Sequence, residues 1–90
     1  MTGNSVWLKV DGERVAPALQ EVPQKFADGG EVVLDFSAVE RIDPAGIREM
    51  EKLAGIADAK AVKVVLAGVN VDIYKVLKLV KLASRFSFLN

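Results

Sequence analysis

Two short runs, Val32-Val33-Leu34-Asp35-Phe36 and the stretch Val62 to Ala67, constrain this chain more than any other feature. Each is apolar at successive positions, so it places oily side chains on both faces of a strand, as a strand covered on both sides would. Each is followed by apolar residues at three-and-four spacing: Ile47, Met50, Leu53, Ala54 and Ala57 within Pro44 to Ala59, then Ile73, Val76, Leu77 and Val80 within residues 71–82. That spacing is one stripe of an amphipathic helix. A strand-helix-strand-helix order calls for parallel strands joined by right-handed crossovers.

The flanks extend the pattern. Val6, Leu8 and Val10 alternate with Trp7 and Lys9 and stop at Asp11-Gly12, which reads as an opening strand with its turn. Trp7 points away from the Val6, Leu8, Val10 side, and the reading places it under a helix or, on an edge strand, at a contact between two copies. Residues 15–26 place Val15, Leu19, Val22 and Phe26 on one helical stripe, with Pro23 set to kink or split the helix. Phe86-Ser87-Phe88-Leu89 suits a short closing strand. The expectation is an α/β fold: a single-layer, mixed but mainly parallel sheet of about four strands with about three helices, forming one domain over residues 1–90.

Composition narrows the chemistry. Twelve basic and twelve acidic side chains cancel, so no net field draws the chain to nucleic acid or an anionic surface. Cysteine and histidine are both absent, which removes disulfides, thiolate chemistry, the usual zinc ligands and the commonest neutral-pH base. No metal site and no cofactor is expected. Residues 1–5 lack a basic start and an apolar stretch, and no apolar run reaches the roughly 20 residues of a membrane-spanning helix. A cytoplasmic protein without membrane insertion is the expectation. Paired-carboxylate hydrolysis needs a cleft, for which a chain of 90 residues has little room.

The segment from Asp35 to Ile47 carries the most specific local chemistry. Asp43 occupies an N-cap position, able to accept from the amides of Ala45 or Gly46, and Pro44 fills the first helical position, where proline is best tolerated. Gly46 in the first turn leaves room for another backbone or a partner to approach. Taken together, Asp35, Ser37, Asp43, Gly46 and Ile47 resemble the signature of the STAS family, in which a strand ending Asp-Leu-Ser leads to Asp-Ser-Ser-Gly-Leu. The stretch Val64-Val65-Leu66-Ala67-Gly68-Val69-Asn70 followed by Val76-Leu77 is similar to the family's next strand, turn and helix. The likeness covers residues 30 to 89 well and the first 29 poorly. No opening hairpin and no closing helix is evident, so the resemblance is to a minimal version.

The resemblance implies a non-enzymatic regulatory module of the anti-sigma factor antagonist kind. In relatives that switch by phosphorylation, the acceptor hydroxyl directly precedes the motif glycine; here that residue is Ala45, and the residue before it is Pro44. Neither can accept phosphate, so the usual charge switch at the helix terminus is missing. Asp35 and Ser37 are read as loop support, the Ser37 hydroxyl serving backbone amides. The partner-binding reading takes Asp43, Pro44, Ala45, Gly46 and Ile47 with the outward helix positions Arg48, Glu49, Lys52 and Ile56, an apolar spot with a charged rim.

The expected partner is a kinase-type anti-sigma factor or a larger regulatory complex. The alternative is an accessory subunit of an ABC-type lipid transporter, and a homodimer is also open. Weak nucleotide binding at the Gly46 helix terminus follows only from the resemblance, since no glycine-rich phosphate loop supports it. A receiver-domain reading of Asp35 and Asp43 lacks the acidic cluster and late lysine it needs. Lys75, Lys78 and Lys81, with Arg85 following, form a cationic outer side on the last helix, suited to its C-terminus or to an acidic partner surface.

Overall fold

The computed structural model describes residues 5–89; residues 1–4, which bear on the expectation of no leader segment, and residue 90 lie outside the described residues. The chain runs β1 (Ser5–Lys9), α1 (Val15–Glu21), a 3-10 turn (Val22–Lys25), β2 (Glu31–Asp35), α2 (Pro44–Ala59), β3 (Lys63–Ala67), α3 (Val71–Leu79), a second 3-10 turn (Ala83–Arg85) and β4 (Ser87–Leu89). Pro23 ends α1 as expected, because it brings no amide hydrogen to the helical ladder and the chain tightens into the 3-10 turn.

α3 stops at Leu79, short of the Leu82 boundary read from spacing. Lys81 adopts a left-handed φ of 64°, and the Leu82 amide donates to the Leu77 carbonyl at 2.8 Å. That is the Schellman closure, and α2 uses it too: Ala61 has a φ of 56° and the Val62 amide donates to the Ala57 carbonyl at 2.8 Å. Neither left-handed residue is glycine, so each closure holds a side chain in a disfavoured backbone region.

The four strands lie in the order β1-β2-β3-β4, and every pairing is parallel. Each crossover therefore steps the same way across the sheet, and right-handed crossovers stepping one way place all helices on one side. The core shows this directly. Val32, Leu34, Val64 and Leu66 pack with Leu19 of α1, Met50 and Leu53 of α2, and Ile73 and Leu77 of α3 in a single buried cluster. Phe36, Leu34, Leu66, Met50 and Leu77 are fully sequestered there.

The opposite side of the sheet carries Val33, Val65 and Ala67 as a separate buried group to which no helix contributes. The expectation that the second strand is covered on both sides is therefore corrected: within the described residues helices cover one side only. Trp7, expected under a helix, sits on the uncovered side at 60% exposure, because monotonic strand order leaves no crossover to shield it.

Candidate functional site

Phe36 and Val39 anchor the connection between β2 and α2 in the core, and the Val39 amide donates to the Phe36 carbonyl at 2.9 Å. This pins the loop while leaving Ser37, Ala38, Glu40, Arg41, Asp43 and Pro44 exposed. Asp35, at the end of β2, accepts from the Ser37 amide at 2.9 Å. Hydrogen bonds from the Ser37 side chain and backbone hold the Asp35 carboxyl below its ordinary pKa, and the nearby Lys9 charge acts in the same direction. Asp35 and Ser37 thus form one local bracket, with the carboxylate satisfying the loop.

Asp43 caps α2 through a 2.8 Å bond from the Gly46 amide to its Oδ1, with Pro44 as the first helical residue. The sequence-derived cap is therefore present in full. Gly46 plays a different part from the one expected. It is buried, and a Cβ there would come within 2.7 Å of the Ile42 side chain, so its bareness admits the loop's own Ile42 rather than a partner. Ala45 and Ile47 are half-buried beside it. Asp43 and Pro44 remain at the surface, and the motif is not buried beneath another element.

Along α2, Arg48, Lys52 and Ile56 are exposed as expected. Glu49 is not: its side chain is only 12% exposed, accepts from Gln20 Nε2 of α1 at 3.1 Å and pairs with Lys52 at 3.5 Å. The helical spacing could not show that α1 lies along that flank of α2. Of the residues expected at a partner surface, Asp43, Pro44, Arg48, Lys52 and Ile56 are thus exposed, and Glu49 links two helices. On α3, Lys75, Lys78 and Lys81 are exposed, but Arg85 is tied to Asp58 of α2 at 2.6 Å and is not a free member of that cationic side.

Sequence reasoning missed the residues that hold the site from its flanks. Asn70 caps α3 by accepting from the Ile73 amide at 2.8 Å, and its Nδ2 donates to the carbonyls of Glu40 at 3.1 Å and Val39 at 3.4 Å. One side chain thus starts α3 and ties the loop of α2 to it. Gly12 and Gly68 clamp the same loop: a Cβ on Gly12 would lie 2.0 Å from the Ala38 carbonyl oxygen, and one on Gly68 would lie 3.1 Å from the Ser37 nitrogen. An Asn before a helical pattern is a readable cap signal. Its second set of bonds spans about thirty residues and has no local signature.

Two of the three helix N-termini at this end of the sheet are capped by side chains, α2 by Asp43 and α3 by Asn70, whereas α1 has no side-chain cap. No helix is long and apolar enough to cross a membrane among the described residues. Fold and site together define a small one-sided parallel α/β domain that displays an aspartate-capped, proline-led helix at the carboxyl end of its strands.

The sequence profile of the STAS domain matches residues 9–90, a range that includes this site. The chain belongs to the STAS domain family. Among solved structures it is similar to the crystal structure of a candidate anti-sigma factor antagonist from Thermotoga maritima, at 20% identity and a TM-score of 0.71, over 100% of this chain and 76% of that one. The NMR structure of that protein gives 19% identity and a TM-score of 0.76, over 100% of this chain and 77% of that one. Both establish the shared fold. A search of curated proteins finds no significant match.

Proposed function

We propose that this domain is a non-enzymatic regulatory module of the anti-sigma factor antagonist kind, which docks on a protein partner through the exposed start of α2 and the Arg48, Lys52, Ile56 surface. The observation that carries the reading is the capped terminus itself: in a STAS domain it stands clear of other elements, with Ala45 where a switching relative would present a hydroxyl. Without that hydroxyl the terminus keeps one charge state, and binding is constitutive, governed by the abundance of the partners. The apolar Ile56 between charged neighbours supplies the centre of the contact, and Arg48 and Lys52 its rim. A kinase-type anti-sigma factor fits this surface, and the domain acts in the cytoplasm.

Affinity capture from the host with wild-type and Ile56→Glu baits tests the proposal. The wild-type bait retains a kinase-type protein that the variant releases, both baits showing the same circular dichroism. Equal capture by both removes this surface from the reading, and retention of transporter permease and ATPase chains instead favours the accessory-subunit alternative. With the captured kinase, wild type takes no phosphate in residues 43–47, whereas Ala45→Ser is phosphorylated there and loses affinity. Stoichiometric phosphate on Ser37 that alters binding would refute constitutive action.

A further inference from the structure

The side of the sheet that no helix among the described residues covers is an anomaly for an all-parallel sheet, since such sheets are normally covered on both sides. Three levels of side chains run across it, fixed by the strand register. Trp7, Val33, Val65 and Ser87 form the middle level; Glu31 and Lys63 lie at one end, and Lys9, Asp35, Ala67 and Leu89 at the other. Trp7 is the only tryptophan in the chain and is 60% exposed. A large, exposed aromatic beside buried valines is the make-up of an interface centre.

We propose that this side is covered by a second copy of the same chain, giving a face-to-face dimer about a two-fold axis that runs parallel to the strands between β2 and β3. The middle level and the Glu31/Lys63 level are self-complementary under that operation, and they identify the occupant. The axis lays β1 over β4 and β2 over β3 of the second copy. Trp7, the largest side chain of the middle level, then faces Ser87, the smallest, and Val33 faces Val65. At the lower end, Glu31 faces Lys63 of the second copy, twice by symmetry, so opposite charges meet.

Within one chain the same two residues are 3.9 Å apart, and the dimer joins two such pairs into a four-charge cluster. Lys9 and Asp35, which face Leu89 and Ala67 of the second copy, lie at the rim, where water keeps their charges solvated. The arrangement is an aligned sheet sandwich, with the helices of both copies on the outside. Both α2 surfaces remain free, so the dimer presents two docking sites.

Size sets the strength. Four strands about 4.8 Å apart and about five residues long at ~3.3 Å each outline a face of roughly 300 Å². Two such faces together bury roughly 600 Å², less than a standard specific interface, so association is weak and reversible.

Sedimentation equilibrium from about 1 to 500 μM measures it directly, with Trp7 emission shifting to the blue as the ring leaves water. Trp7→Ser is expected to raise the dissociation constant at least about tenfold. Glu31→Lys and Lys63→Glu each weaken self-association, because each sets like charges opposite one another. Mixing those two variants restores pairing as a heterodimer, which a purely structural role for either residue would not produce. A wild-type chain that stays monomeric at the highest concentration overturns the proposal, and so does a mixture that associates no better than its components. Trp7→Ser keeps its affinity for the α2 partner, so failure of the dimer and failure of the docking reading are separable.

Discussion

Replacing Asn70 by alanine removes two functions of one side chain, and their sizes can be separated. The cap accepts from the Ile73 amide at 2.8 Å, and losing such a cap costs about 1 kcal/mol. The Nδ2 bonds to the Glu40 and Val39 carbonyls, at 3.1 and 3.4 Å, contribute about 1 kcal/mol together, the longer one little. Asn70→Ala should therefore lower stability by about 2 kcal/mol, or roughly 10 °C in Tm for a domain of this size. Asn70→Ser keeps an oxygen for the cap and loses the tether, so it should show about half that loss.

Thermal and urea unfolding followed by circular dichroism give both values, and hydrogen exchange at the Val39 to Ile42 amides reports the loop. The serine variant should speed exchange there while leaving the start of α3 protected. If serine is as stable as asparagine and the loop amides are unchanged, the tether contributes nothing and the account of how the site is held fails.

Other expectations follow from single observations. Asp35 is depressed in the folded state, so its stabilisation is complete above the ordinary carboxylate pKa near 4 and is lost as pH falls through the lower folded value. Urea midpoints measured from pH 2 to 6 should decline less steeply at the acid end in Asp35→Asn. Met50 is fully buried, and Met50→Ala should cost about 3 kcal/mol in urea unfolding. Lys81→Gly relieves a side chain held at a φ of 64° and should raise stability by about 0.5–1 kcal/mol, whereas the same change at exposed, helical Lys75 should lower it. Gly12→Ala sets a Cβ against the Ala38 carbonyl, a backbone atom that cannot rotate away, and should lower Tm and shift the resonances of residues 37–39.

Much of this domain was legible locally. The bounds of α2, Pro44–Ala59, follow from an aspartate, a proline and an apolar stripe, all within one stretch of chain. The split at Pro23 and the buried β2 and β3 runs are equally local, because proline geometry and apolar patterning act through near neighbours. The early end of α3 was harder to read, since its left-handed closure falls on a lysine in place of the glycine that usually marks it.

What tertiary structure alone decided was sidedness and company. Glu49 appeared outward until α1 supplied Gln20, and Arg85 appeared free until α2 supplied Asp58. Gly46 serves Ile42, and Asn70 reaches back to a loop some thirty residues away. Above all, Trp7 and the valines beside it lie on the side of the sheet that no helix among the described residues covers, because the four strands follow one another in order. Periodicity says which residues share a side of a strand; only the order of strands and the hand of the crossovers say which side receives the helices.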